Sequence, residues 1–131
     1  MMSDVGLVLL APFDVVLTDL DVVEPDLLYS SHERARAILT SACLRGAPEL
    51  AVEIGSPSTR KRDEAIKKRL YERAGMDEYW FLDPEIDVIR VYRRSGSTFG
   101  PPLELSLDRS DVLTTPLLPG LELALADVFS S

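Results

Sequence analysis

Pro48-Glu49-Leu50-Ala51-Val52-Glu53-Ile54-Gly55-Ser56-Pro57 is the stretch on which the fold turns. Its centre, Leu50 to Ile54, is a short and mostly apolar run bounded by Pro48 and Pro57, the pattern of a buried central strand. Glu53 interrupts that run. A carboxylate in a central strand is uncommon unless a ligand or a partner compensates it, because bare buried charge is strongly destabilising.

Immediately downstream, Thr59 to Ala74 predicts a helix. Ser58 or Thr59 can cap it, charged residues fill its exposed positions, and Gly75 supplies the stop. Plotted at about 100° per residue, Asp63, Ile66, Lys67, Leu70, Tyr71 and Ala74 fall in one sector of about 140°, the width of a core-facing stripe. Arg62, Glu64, Ala65, Lys68, Arg69 and Glu72 fall outside it. Two ionisable residues, Asp63 and Lys67, thus sit at i and i+4 within the apolar face. Either they form a structural salt bridge at the edge of the core, or Lys67 points into a polar site above the sheet; periodicity leaves both open.

Further out, Val5 to Leu17 is apolar and β-branched, broken by Pro12, and reads as one bent strand or two short ones. Val22 to Tyr29 is a second strand candidate in which Pro25 marks an edge or a bulge. Asp26 interrupts it as Glu53 interrupts its own strand. Ser31 to Gly46 is ambiguous: Glu33 to Leu44 has helical composition, but the weak ending at Arg45-Gly46-Ala47-Pro48 leaves a structured loop nearly as good a reading. Glu78 to Leu82 is an aromatic, apolar strand ended by Asp83-Pro84, Ile86 to Arg93 alternates, and Leu103 to Leu107 alternates again. Leu117 to Phe129 is an apolar tail. Strands, then one strong helix, then more strands imply an α/β fold with a mixed sheet, and 131 residues fit a single domain spanning 1–131.

The formal net charge of −8, from 22 acidic and 14 basic residues, opposes a protein that coats nucleic acid electrostatically. It does not oppose a nuclease, since carboxylates gathered around a divalent cation count as negative in that balance. Cys43 is the one cysteine, which excludes a disulfide within the chain and agrees with a reducing compartment. A zinc site of His and Cys within one chain is excluded as well. The opening residues lack the basic segment of a signal peptide, and no apolar run approaches the ~20 residues of a membrane span. The expected location is cytoplasmic.

Two strand carboxylates, Asp26 and Glu53, and one inward lysine, Lys67, are the parts that metal-assisted phosphodiester hydrolysis requires. The carboxylates hold Mg²⁺ (or Mn²⁺), the metal polarises a phosphate oxygen and activates water, and the ammonium stabilises charge on the attacked phosphate. Each residue also has a plainer meaning: Asp26 could end a turn, and Glu53 could pair with Lys67 with no metal at all.

Taken together, these residues resemble the Uma-two family of restriction endonucleases. The resemblance runs through Pro48 to Thr59, Arg62-Asp63, Lys67, Tyr71, Gly75, and Glu78-Tyr79-Trp80 leading to Asp83-Pro84. Upstream, Pro12-Phe13-Asp14-Val15 and Pro25-Asp26-Leu27-Leu28 match in order; downstream, Leu118-Pro119-Gly120-Leu121 matches the tail. The family lies within the PD-(D/E)XK superfamily, so the resemblance implies a restriction-endonuclease-like mixed β-sheet with flanking helices, Mg²⁺, and DNA backbone cleavage. Carried over by position, Asp26 is the motif Asp and Glu53 the motif Glu. The usual lysine, two residues after the Glu, would fall at Gly55, which cannot serve; Lys67, on the following helix, is the matching position, and the helical plot selects it over Lys68 independently.

Family members usually carry some dozens of residues before the first strand matched here. The chain is therefore expected to lack that layer, to expose apolar sheet surface, and to form a homodimer or larger homo-oligomer. Two functions follow: a metal-dependent DNA endonuclease built on Asp26, Glu53 and Lys67, or a non-catalytic nuclease-fold module serving oligomerisation or protein binding. His32 reads as a surface loop residue, Tyr79 and Trp80 as core and interface. The basic cluster Arg60-Lys61-Arg62 with Lys67, Lys68 and Arg69 reads first as a solvated helix face.

Overall fold

The structure is a computed structural model that describes residues 6–56 and 60–129, without the side chains of 60–62. The proposed cap at Ser58 or Thr59 and the side chains of Arg60-Lys61-Arg62 lie outside the described residues.

The stretch from Leu50 to Ile54 is the strand expected of it. The strands, in chain order, are β1 (Gly6–Leu10), β2 (Val15–Val16), β3 (Val22–Val23), β4 (Leu27–Ser31), β5 (Leu44–Arg45) and β6 (Leu50–Ile54), followed by β7 (Glu78–Asp83), β8 (Val88–Ser95), β9 (Thr98–Phe99), β10 (Leu103–Ser106), β11 (Val112–Leu113) and β12 (Leu123–Ala124). Helix α1 (His32–Ile38) follows β4, α2 (Arg60–Ala74) follows β6, and α3 (Leu125–Val128) follows β12. The main sheet runs β1-β4-β6-β7-β8-β10, with β9 paired to β8. Strands β6 and β7 are parallel, joined by the α2 crossover, and their neighbours β4 and β8 are antiparallel to them. Hence β6, buried from Leu50 through Glu53, is flanked on both edges and covered on both faces.

Alternation along the strands divides the core in two. One face carries Leu28, Ala51, Tyr79, Phe81 and Tyr92, packed with Tyr71 and Met76 from α2 and its end, and with Val15, Val23 and Leu44 of a small three-stranded sheet, β3-β2-β5. The opposite face carries Tyr29, Leu50, Val52, Trp80, Ile89 and Val91, and is closed by Leu113, Leu125 and the flanking leucines of the C-terminal tail. Both faces of the central sheet are therefore covered, which corrects the expectation of a bare apolar sheet surface. The most exposed large apolar side chains sit instead at a strand end, Leu10, and a hairpin tip, Leu20.

The helix stop at Gly75 is built as its sequence suggests. Gly75 has φ +83°, Met76 N–H bonds to the Tyr71 carbonyl at 3.2 Å and Gly75 N–H to the Glu72 carbonyl at 3.2 Å, the paired closure of a left-handed helix terminus. Arg94 adds its guanidinium to the Glu72 and Met76 carbonyls, both at 2.7 Å, placing a cation at the helix C-terminus where the dipole favours it. Together these bonds set the rotational phase of α2.

That phase differs from the hydrophobic plot. Glu64 is buried at 9% exposure and Tyr71 at 0%, with Lys67 and Lys68 half-buried between them, whereas Ile66 is 37% exposed and Asp63 is exposed. The stripe that faces the sheet is thus Glu64, Lys67, Lys68 and Tyr71. The physical reason is the polarity of the sheet beneath. Arg90 on β8 donates to both Glu64 oxygens, at 2.7 and 2.9 Å, and Tyr92 donates to Glu64 at 2.7 Å. Asp83 approaches the same guanidinium at 3.4 Å. A charged contact of this kind outweighs the modest gain from burying one more isoleucine.

Other readings resolve more simply. Val22 to Tyr29 is two strands, β3 and β4, separated at Glu24-Pro25-Asp26, and the ambiguous stretch after Ser31 forms the short helix α1, in whose first turn His32 lies. Ser31 caps α1 by accepting from Arg34 N–H at 3.2 Å. No helix among the described residues is long and apolar enough to cross a membrane.

The Glu64–Arg90 contact gives a stability prediction. Arg90→Ala removes the cation that Glu64 and Asp83 share, leaving Glu64 the Tyr92 hydroxyl, and should lower the unfolding free energy by about 3 kcal/mol, as breaking a buried pair typically does. Urea denaturation of the variant beside wild type measures it. A loss well under 1 kcal/mol would show that the pair does not hold α2 to the sheet.

Candidate active site

Asp26 and Glu53 reach one another through the antiparallel register of β4 and β6. Leu27 pairs with Val52 and Leu28 with Ala51, so the next step of the same register sets Asp26 opposite Glu53. Directly opposed residues of an antiparallel pair project from the same face. That face is the one α2 covers, since Ala51, two residues before Glu53, packs in the α2-side core.

Each carboxylate spends one oxygen on the protein. Asp26 Oδ2 accepts the backbone N–H of Ile54 at 2.7 Å, which ties the end of β6 to the entry of β4. Glu53 Oε2 accepts the Tyr71 hydroxyl at 2.5 Å and lies 3.1 Å from Lys67 Nζ. Among the described residues nothing bonds to Asp26 Oδ1 or Glu53 Oε1. The Glu53 side chain keeps 12% of its exposure, so the site is covered without being sealed.

Burial pushes the Glu53 carboxyl above its ordinary range; the Tyr71 hydrogen bond and the Lys67 charge pull it back, and the Asp26 charge adds to the rise. The Tyr71 hydroxyl is pushed strongly upward, first by burial and then by the Glu53 charge, so it stays protonated and acts as a donor. Beside it, the Tyr79 hydroxyl is buried with no hydrogen-bond partner among the described residues, and burial and the charges of Glu53 and Glu64 likewise hold it protonated. A row of rings backs the site: Tyr71 meets Tyr79 edge-on with centroids 5.2 Å apart, and Tyr79 stacks on Tyr92 at 5.3 Å.

The structure thus brings Asp26, Glu53 and Lys67 together, and Lys67 pairs with Glu53. Lys68 stands apart from that pair, 4.0 Å from Glu72 and 5.9 Å from the centre of the Tyr92 ring. It is less exposed than the helical plot implies. Tyr71, Tyr79 and Glu64 were not singled out as site residues by sequence. The available signal was the i, i+3, i+7 spacing of Glu64, Lys67 and Tyr71, which names one face of α2 once Lys67 is fixed.

The donor set fits a hard divalent cation in kind: two carboxylates on one face, each with one oxygen uncommitted. Among the described residues no group of three or more His, Cys, Asp or Glu side chains converges, so other oxygen ligands would come from water, backbone or substrate.

The site thus sits on a mixed sheet, with Asp26 at the entry of β4, Glu53 on β6 and Lys67 on the crossover helix α2 that follows it. The sequence matches the Uma2 family, described as "Putative restriction endonuclease", over residues 3–126, and the chain belongs to that family. The fold is similar to the crystal structure of a putative nuclease belonging to DUF820 from Anabaena variabilis ATCC 29413. The TM-score is 0.77 at 18% identity, covering 96% of this chain and 69% of that one. Comparison with curated proteins gives no match. The family match supports a nuclease, and the structural likeness shows the fold.

Removing the Glu53 carboxylate should be felt in stability before any chemistry is considered. Glu53→Ala leaves the Tyr71 hydroxyl buried and unpaired, at a cost of about 1–3 kcal/mol. Glu53→Gln, which keeps an acceptor oxygen, should cost less. Thermal and urea melts of the two variants give the order; the reverse order would show that Tyr71 does not depend on Glu53.

Proposed function

We propose that this protein is a divalent-metal-dependent endonuclease that hydrolyses DNA phosphodiester bonds, with Asp26 and Glu53 holding Mg²⁺ or Mn²⁺ and Lys67 stabilising charge. The observation that supports it is the convergence of Asp26 and Glu53 on one sheet face with Lys67 seated on Glu53. In this reading Asp26 Oδ1 and Glu53 Oε1 are the protein's ligands. A bound cation would polarise a phosphate oxygen and make water a stronger nucleophile. Lys67 Nζ rests on Glu53, and its flexible stem lets it turn from that oxygen to a phosphate oxygen as negative charge builds there. Tyr71 and the Ile54 amide hold the two carboxylates in place throughout.

One observation favours a second reading, a non-catalytic nuclease-fold module. Glu53 is already paired and hydrogen-bonded through Lys67 and Tyr71, so the charge needs no cation to be tolerated. The net charge of −8 also works against unaided capture of DNA. The homodimer expected from a bare sheet face loses that support, since both faces are covered; exposed groups such as Leu10 and Leu20 would have to serve it, and light scattering at micromolar concentration tests it.

The deciding experiment is incubation of supercoiled plasmid with purified protein and Mg²⁺ or Mn²⁺. Wild type should nick and linearise it, and Glu53→Ala should not. Lys67→Ala should lose roughly 10²–10³-fold in rate, the scale of one charge-stabilising donor, while Lys68→Ala should change little beyond a modest, salt-dependent loss of binding. Equal losses at the two lysines would refute the role given to Lys67. Absence of metal-dependent cleavage by wild type would leave the module reading.

A further inference from the structure

We propose that Tyr71 is a positioning residue for Glu53: its buried hydroxyl fixes Oε2, so that Oε1 stays available beside Asp26 for a divalent cation even when Lys67 turns away to meet phosphate. The inference rests on reading Asp26 and Glu53 as the cation's ligands.

Two donors share Glu53 Oε2, and they differ in freedom. Lys67 ends a flexible four-carbon stem, and its side chain is 25% exposed. Tyr71 is 0% exposed and turns about only two side-chain torsions. Its ring is braced edge-on by Tyr79, which is stacked on Tyr92. Tyr92 in turn donates to Glu64, the carboxylate that Arg90 holds with two hydrogen bonds. The Tyr71 carbonyl is also bound, by Met76 N–H at the helix stop. The hydroxyl is therefore placed from both its ring and its backbone, whereas among the described residues the ammonium is held by Glu53 alone.

This difference divides the work at one oxygen. Were Lys67 the sole anchor of Glu53, its departure toward a phosphate would release the carboxylate whose orientation the cation needs. With Tyr71 present, Lys67 can leave and Oε2 remains held. Groups that orient a ligand without touching the metal typically change metal affinity by about 10–100-fold when removed.

The same ring row supplies a matched control. Tyr79 lies beside Tyr71, is equally buried, and its hydroxyl has no partner among the described residues. Loss of that hydroxyl deletes an oxygen from the same core and breaks no hydrogen bond among the described residues.

The test is calorimetric titration of Mn²⁺ into wild type, Tyr71→Phe, Tyr79→Phe and Lys67→Met, with thermal melts alongside. Tyr71→Phe should bind Mn²⁺ about 10–100-fold more weakly. Tyr79→Phe should bind as wild type does. Lys67→Met should bind at least as tightly, since it removes a like charge beside the cation. Equal affinity in Tyr71→Phe and wild type overturns the proposal, as does a loss in Lys67→Met as large as that in Tyr71→Phe. Failure of wild type itself to bind Mn²⁺ would remove the ligand assignment of Asp26 and Glu53, and this role with it, and so is distinct from a failure of Tyr71 alone. If Tyr71→Phe does not fold, wild type with ¹³C-labelled tyrosine rings is titrated with Mg²⁺. The Tyr71 signals should move more than those of Tyr92, and unmoved Tyr71 signals overturn the proposal.

Discussion

A carboxylate buried in the middle strand of a sheet imposes conditions on everything above it. Glu53 faces α2, so α2 must present donors there, and a helix that presented only leucine would leave the charge bare. Tyr71 and Lys67 meet that demand from positions one turn apart. The rest of the α2 face follows suit. Glu64, one further turn toward the N-terminus, lies over Arg90 and Tyr92, and Ile66 is left at the surface. The polar pattern under α2 is continuous from the site to β8, with Tyr79 and Tyr92 filling the space between the two carboxylates.

Much of the scaffold was legible because it depends on local signals. The apolar run Leu50 to Ile54, the alternation along Ile86 to Arg93 and the glycine stop at Gly75 each carry a pattern that few alternatives share. The face of α2 was misjudged in part because a hydrophobic plot assumes that the partner surface is apolar. Here the partner is a sheet bearing Arg90, Tyr92 and Glu53, and burial selected Glu64 over Ile66. The short pairings β2-β3 and β2-β5 were missed for another reason. They are two residues long and are fixed by long-range contact, not by composition.

The site divides in the same way. Asp26, Glu53 and Lys67 stood out because charge in an apolar pattern is conspicuous, and family resemblance named them. Their meeting depends on the register of β4 against β6, which no local pattern specifies. A shift of one residue would turn Asp26 to the opposite face from Glu53. Tyr79 gave no warning of a role and Tyr71 only its spacing from Lys67, since an aromatic residue in a core stripe or central strand is most often core.

Trp80 sits on the other side of the same strand that carries Tyr79. It is the chain's one tryptophan, is 6% exposed, and donates its indole N–H to Glu78 at 2.8 Å. Glu78 also accepts the Thr115 hydroxyl at 2.5 Å, which fastens the C-terminal tail over that face. Three of the four tyrosines, meanwhile, line the face with Glu53. Light absorbed by the molecule is thus sorted by layer. Indole emission reports whether the tail is seated, and phenol absorption is dominated by the layer beneath α2, so the two sides of one sheet can be watched separately in a single unlabelled sample.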